Sequence, residues 1–237
     1  MTAEDLLNEA IRIKANVLQL CDNLDLPNLD WDTLSAKAKD NGIELQVGNM
    51  GGPDDVAVAA KIAGRIGSPI VRFVIGQAFI AQSVNEVADD FREAARICTE
   101  HGTKLAFENH DFFLSHQIAQ IVEMVGHSCG VTLDTGNSLS NLEGTECLVK
   151  HLGPHTICLH AKDVAVEREF HMLGFRVFGV QAGMGRVDFR YLKDNLPMLD
   201  SVIMEQWTPA ANNQPPLAFE KQTVGPGIDY LRGVWAS

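Results

Sequence analysis

Leu105-Ala-Phe-Glu108, Val131-Thr-Leu-Asp134, Ile157-Cys-Leu-His160 and Val202-Ile-Met-Glu205 repeat one four-residue pattern. Side chains along a strand alternate between its two faces. The large apolar residues at the first and third positions therefore point one way. The shorter second residue and the metal-capable fourth point the other way. The large set suits a layer of covering helices, and the other set suits a crowded interior ending in polar groups. That is the construction of a (β/α) barrel, whose active site lies at the C-terminal ends of its strands.

Working outward, strands are predicted at Asn16–Cys21, Ile43–Gly48, Pro69–Ile75, Lys104–Glu108, Val131–Asp134, Thr156–His160 and Val202–Glu205. Helices are punctuated between them. Thr2 caps the first, Pro53 suits the first turn of the third, and Gly67 ends it. Ser83-Val-Asn-Glu86 is a capping box for the fourth, which Gly102 closes; Ser115 caps the fifth and Asp188 a later one. Strict alternation of strand and helix predicts an α/β protein with a parallel sheet. An open doubly wound sheet competes with a barrel, and the shared strand pattern favours the barrel. No linker or low-complexity stretch interrupts residues 1–237, so a single domain is expected.

A closed barrel of this kind has eight strands. Seven are visible, and the chain starts directly on a helix. The expected fold is a (β/α)8 TIM barrel lacking its first strand, through truncation, a misplaced start, or a barrel open at that edge. An open edge exposes unpaired backbone groups, to be covered by a loop or by another protomer of a homo-oligomer. On the earlier strands Gln19, Glu44, Gln46 and Arg72 face inward, with Leu18, Leu20, Leu45, Phe73 and Ile75 outward. A buried charge without a partner is costly, so Glu44 and Arg72 are expected to pair. Arg72 alternatively reaches an anionic substrate.

The net charge of -12 and the lack of any basic run argue against a nucleic-acid partner. Five cysteines (Cys21, Cys98, Cys129, Cys147, Cys158) form no CxxC pair, which fits a reducing compartment. No basic and apolar leader follows Met1, and no apolar run approaches the roughly 20 residues of a membrane span. The chain reads as cytoplasmic, with no membrane partner.

Three carboxylates and an imidazole meeting at one mouth repel one another or shift protonation unless a cation sits between them. Glu108, Asp134, His160 and Glu205 are thus candidate ligands of one divalent metal ion. Oxygen-rich ligation with one His favours Mn²⁺ or Mg²⁺, with Co²⁺ or Zn²⁺ as alternatives. The bland reading is a polar rim of helix caps and loop anchors. His110, Lys162 and Trp207 lie two places further on, and Asn137 and Asp163 three. His110 binds substrate or caps a loop. Lys162 neutralises an oxyanion or pairs with a rim carboxylate. Trp207 walls a sugar face or packs. Asp163 is read as orienting a ligand from behind. His101, His116, His127, His151 and His155 fall away from strand ends, where exposure is expected; His171, on a long loop, stays unassigned.

Glu108-Asn-His, Leu133-Asp-Thr-Gly-Asn137, Leu159-His-Ala-Lys-Asp163, Gly183-Met-Gly-Arg-Val-Asp-Phe189 and Met204-Glu-Gln-Trp207 resemble the sugar phosphate isomerase/epimerase family of the xylose isomerase-like TIM-barrel superfamily. The likeness spans nearly the whole chain, and Gln19-Leu-Cys-Asp-Asn23 is similar to the second strand of that family. It implies the same four ligands, with Glu108 and Glu205 also moving protons as the catalytic pair. It further implies a small carbohydrate substrate, for which His110, Asn137, Lys162, Trp207 and Arg72 are the candidate contacts by their place in the sequence. Asn137 stands where the epimerases carry a His, and Met184 where an acid often lies in the Gly-x-Gly loop. The implied chemistry is proton abstraction beside a carbonyl through an enediolate, giving isomerisation or epimerisation of a sugar, sugar phosphate or keto-sugar. An inosose-type dehydratase uses the same site. An endonuclease would want more His ligands and a basic face. A non-catalytic sugar-binding protein is the alternative outside enzymes.

Overall fold

The helix boundaries follow local capping chemistry. The structure, a computed structural model, describes residues 1–126, 129–209 and 214–236. Helix α1 (Ala3–Arg12) opens on Thr2, whose hydroxyl accepts from the Asp5 N–H while Asp5 accepts from the Thr2 N–H. Helices α2 (Trp31–Asp40) and α3 (Pro53–Ile66) follow; α3 has Pro53 in its first turn and stops at Gly67, at φ 72°. The Ser83–Glu86 box opens α4 (Val84–Glu100) as expected. Helix α5 (Ser115–Val125) departs from expectation. Leu114 takes its cap position, because the Ser115 N–H and hydroxyl both donate to the Glu143 carboxylate instead. Helices α6 (Thr145–Leu152), α7 (Phe189–Asn195, capped by Asp188) and α8 (Pro216–Ala236) complete the layer. No described helix is long and apolar enough to cross a membrane.

All seven expected strands form. β1 (Val17–Leu20), β2 (Glu44–Gly51), β3 (Ile70–Ile75), β4 (Lys104–Glu108), β5 (Cys129–Asp134) and β6 (Thr156–Ala161) pair in chain order, all parallel. An antiparallel hairpin, β7 (Asp163–Arg168) and β8 (Phe175–Val180), stands apart from them. β9 (Ser201–Met204) then pairs in parallel with β6. The result is a nearly closed parallel barrel wrapped by helices, a TIM barrel with seven strands.

The outward face carries the core. Phe73 and Phe107 are cross-strand partners on β3 and β4, and Phe91 of α4 wedges against both, with ring centroids 5.6 and 5.3 Å away. Tilted and edge-on aromatic pairs add about 0.5–1.5 kcal/mol each beyond their buried area. This wedge fixes the two strands whose opposite face bears Arg72 and Glu108. Inside, Ile70, Ala106, Cys158 and Ile203 form a small apolar plug. Ile157 joins them, although the four-residue pattern sends it outward. A bulge where β5 pairs with β6 shifts the register, and Gly130 leaves the room: a Cβ there would lie 2.6 Å from Ile157 Cδ1.

β1 and β9 are the two edges and do not pair with each other. The gap between them is an apolar groove of about 480 Å³, lined by Val17, Leu18, Met204 and, from the helices, Ile228, Leu231 and Trp235. The open edge expected from the count of strands is therefore present.

Candidate metal centre

Glu108 ends β4, Asp134 ends β5, His160 lies near the end of β6, and Glu205 directly follows β9. One ligand atom from each lies within 4.8 Å of every other. His160 Nδ1 is the hub, 2.8 Å from Glu205 Oε2, 3.2 Å from Glu108 Oε2 and 3.9 Å from Asp134 Oδ2. Glu108, Asp134 and His160 are buried, and the Glu205 side chain is 38 % exposed.

Each acid is aimed by its neighbours. The amide of Asn109 accepts from the Asp134 N–H at 2.7 Å and donates to its carbonyl at 2.9 Å, tying the ends of β4 and β5 together. Asp134 Oδ1 accepts from the Gly136 and Asn137 N–H groups, which turns Oδ2 toward the centre. Asn137 Nδ2 donates to Glu108 Oε1 at 2.8 Å, and its Oδ1 accepts from Lys162 Nζ at 3.0 Å. Arg72 Nε donates to Glu108 Oε2, and Arg72 also pairs with Asp22 at 3.3 Å. Lys162 Nζ lies 2.9 Å from Asp134 Oδ2, 3.0 Å from Glu205 Oε1 and 4.4 Å from the Trp207 ring centroid.

These contacts set the protonation states. Burial works against ionising Glu108, but the charges of His160 and Arg72 outweigh it and hold its carboxyl far below the usual range. Burial likewise opposes Glu205, and contact with His160 and the charge of Lys162 bring it down to about 2. Burial raises Asp134, with Lys162 opposing. His160 is disfavoured as a cation by burial, yet Glu108 and Glu205 carry it up to about 10. Cys21, beside this cluster, is pushed up to about 12 by burial.

Two buried atoms of the cluster, His160 Nδ1 and Asp134 Oδ2, are met only by charged side chains (Glu205, Glu108 and Lys162) and form no hydrogen bond of good geometry. Buried polar atoms without a well-formed hydrogen bond call for an explanation such as an ion. Bonds of about 2.1 Å put opposite ligands of a six-coordinate ion about 4.2 Å apart. A spread of 4.8 Å closes onto such an ion with sub-ångström movement. Three carboxylates and one imidazole are donors that suit a divalent cation. The four residues fit a metal ion.

Residues 10–232 match the family profile described as xylose isomerase-like TIM barrel. The chain belongs to that family. Solved structures superpose on nearly all of it. One from Mycobacterium smegmatis, in complex with magnesium, is 12 % identical at TM-score 0.75, covering 98 % of this chain and 87 % of that one. A D-psicose 3-epimerase from Clostridium cellulolyticum H10, with D-tagatose, is 15 % identical at TM-score 0.73, covering 96 % and 92 %. A probable 3-DHS dehydratase from Bacillus anthracis is 14 % identical at TM-score 0.74, covering 98 % and 94 %. Such low identities establish the fold alone. No protein of curated function matches the sequence significantly.

Of the other residues singled out in this xylose isomerase-like chain, Lys162 and Asn137 join the cluster directly. Arg72 does too, but not with its expected partner. Register sets Arg72 opposite Gly48, while Glu44 lies four residues lower and is exposed. A Cβ at Gly48 would lie 2.9 Å from Arg72 Cδ and 2.6 Å from Cys21 Sγ, so glycine makes the channel through which Arg72 reaches Glu108. Trp207, 46 % exposed, walls the mouth over Lys162. His110 stands aside, 3.4 Å from Asp111 and tilted against Phe112. Asp163 orients no ligand: its carboxylate accepts from the N–H groups of Val164, Gly183, Gly185 and Val187, pinning the Gly-x-Gly loop to the hairpin. His171 lies exposed at the hairpin turn; His101 and His116 are exposed, His151 and His155 half-buried, and His127 lies outside the described residues. Asn109 and Asp22 were not singled out, although Asn109 directly follows Glu108.

Proposed function

We propose that this protein is a divalent-metal-dependent isomerase or epimerase of a ketose or small keto-sugar, with residues 1–237 acting as one domain. The observation that carries this is the pair of glutamates meeting at His160 Nδ1, at 2.8 and 3.2 Å, from strands β9 and β4. Glu108, Asp134, His160 and Glu205 would hold the ion, Mn²⁺ or Mg²⁺ by their chemistry. A bound divalent ion supplies electrostatic stabilisation of the enediolate as charge develops on the substrate oxygen.

The two glutamates differ in how free they are to act. Both oxygens of Glu108 are engaged, Oε1 by Asn137 and Oε2 by Arg72. Glu205 is partly open to the mouth and held by Lys162. Glu205 therefore takes the carbon-bound proton first, with its low proton affinity raised as substrate displaces water and Lys162 turns to the substrate oxygen. For isomerisation Glu205 hands the same proton on to the neighbouring carbon. For epimerisation Glu108 first takes up a proton from solvent and gives it to the opposite face, and Glu205 releases its own to solvent. Trp207 closes one side against an apolar sugar face. Five cysteines, none in a disulfide, fit a reducing compartment such as the cytoplasm.

Incubation with Mn²⁺ and a panel of ketoses and keto-acids in deuterated water tests this. Deuterium at a carbon next to the carbonyl, lost in Glu205→Gln, is expected. Turnover undiminished in Glu205→Gln overturns it. The likeness to a dehydratase supports a second reading, in which a neighbouring hydroxyl leaves after the same proton abstraction. A product lighter by one water identifies that outcome.

A further inference from the structure

Below the candidate metal centre, a line of polar side chains crosses the barrel interior. His160 Nε2 lies 2.8 Å from Gln19 Oε1, Gln19 Nε2 donates to Gln46 Oε1 at 3.1 Å, and Gln46 Nε2 donates to Glu44 Oε1 at 2.8 Å. Gln19 and Gln46 are cross-strand partners on β1 and β2, and Glu44 lies two residues before Gln46 on the same face. Gln46 is buried, Gln19 half-buried, and Glu44 exposed at the opposite end of the barrel from the mouth.

The direction of this line is dictated from its outer end. A carboxylate only accepts hydrogen bonds, whereas an amide has one accepting and one donating end. Glu44 must face the Gln46 NH₂ group. Gln46 then presents its oxygen to Gln19, Gln19 must present its NH₂ group in return, and its oxygen is left for His160. An amide oxygen cannot donate, so the hydrogen between Gln19 and His160 belongs to Nε2. The secondary contacts agree: Gln46 Nε2 also donates to Ser201 Oγ at 3.2 Å, and the Cys21 thiol points at Gln19 Oε1 at 3.6 Å. With Nε2 protonated, a neutral imidazole carries its lone pair on Nδ1, the atom at the hub of the carboxylates.

We infer that Gln19, oriented through Gln46 by Glu44, is a positioning residue that fixes His160 in the Nε2–H tautomer and so presents Nδ1 as a metal ligand. This rests on the metal reading above. Partners behind a ligating His are worth about 10–100-fold in metal affinity. The arrangement also explains why Gln19 and Gln46 occupy interior positions on β1 and β2 that apolar residues would otherwise fill.

The experiment is Mn²⁺ binding by calorimetry for the full chain and three variants. Gln19→Met keeps the volume and removes the acceptor; about tenfold or greater weakening is expected. Gln19→Glu restores an acceptor against Nε2–H and is expected to bind within about threefold of the parent protein. Glu44→Lys, at an exposed position that leaves folding intact, presents a donor to Gln46, reverses the line and is expected to weaken binding severalfold. In the Zn²⁺-loaded parent protein, ring ¹H–¹⁵N correlations of His160 should show a protonated Nε2. Equal Mn²⁺ affinity in the parent, Gln19→Met and Glu44→Lys proteins overturns this inference alone. No Mn²⁺ binding by the parent protein overturns it together with the metal reading.

Discussion

Lys162 Nζ lies 2.9 Å from Asp134 Oδ2, the oxygen that the loop beyond β5 leaves without a hydrogen bond. A monovalent ammonium thus sits against the carboxylate that a divalent ion would use. Three acids face Lys162, Arg72 and a protonated His160, so the metal-free centre is balanced by its own side chains. A metal ion binding here would have to displace a proton from His160 and loosen Lys162.

Removing that ammonium separates the two roles. In Lys162→Met, Asp134 and Glu205 lose a buried cation, and metal-free stability is expected to fall by about 3 kcal/mol. Mn²⁺ should then raise the melting temperature more in the variant than in the parent protein. Melting curves with and without Mn²⁺ read both effects; an equal Mn²⁺ response in the two proteins refutes the competition.

Glu108 and Glu205 should differ in what their amides cost. Glu108→Gln leaves the buried Arg72 guanidinium facing a neutral amide, and a loss of about 3 kcal/mol is expected. Glu205→Gln, at a partly open position, should melt within a few degrees of the parent protein. Both should lose turnover by about 10²-fold or more. Thermal melts beside single-substrate kinetics check the pair, and equal destabilisation sinks the distinction.

The metal-free protein should lose stability as pH rises. Burial opposes a charged His160, but its acidic neighbours carry its folded value to about 10 from an ordinary 6.5. A raised value means that protonation stabilises the fold: the contribution is complete below pH 6.5 and lost as pH climbs through 10. Melting temperature in the presence of a chelator should fall between pH 6.5 and 9, and His160→Gln should flatten that slope. A flat profile in the parent protein contradicts the assignment.

Asp163 is expected to matter for the loop and not for the ion. In Asp163→Ala, the N–H groups of Gly183, Gly185 and Val187 lose their acceptor, with a cost of about 1–3 kcal/mol. Limited proteolysis should cut the loop while Mn²⁺ affinity stays within about threefold. A tenfold drop in affinity would return Asp163 to the metal's surroundings.

The barrel was legible because strand ends repeat. Glu108, Asp134, His160 and Glu205 fall in phase with apolar residues that alternate by two, and that phase puts them all on the inner face at the strand ends. What sequence could not supply was register. Glu44 and Arg72 share an inward face on adjacent strands, but four residues of stagger decide that Arg72 meets Glu108. Ile157 escaped for a related reason, since a bulge is invisible to a count by twos. The hairpin leaves only a faint trace in the sequence, where Val164-Ala-Val-Glu167 and Phe175-Arg-Val-Phe178 alternate weakly. Asp163 serves the loop because four backbone N–H groups, which carry no sequence signature, claim its carboxylate.

The unclosed seam has a price in rigidity that falls on its two edge strands, β1 and β9. β1 is held by β2 on one side only, and on the other it borders the apolar groove. Its amide protons should be among the first in the sheet to exchange with solvent. Yet β1 carries Gln19, which touches His160. A strand tethered on one side only therefore governs how sharply the imidazole is aimed, and whatever stiffens that strand also sharpens the centre.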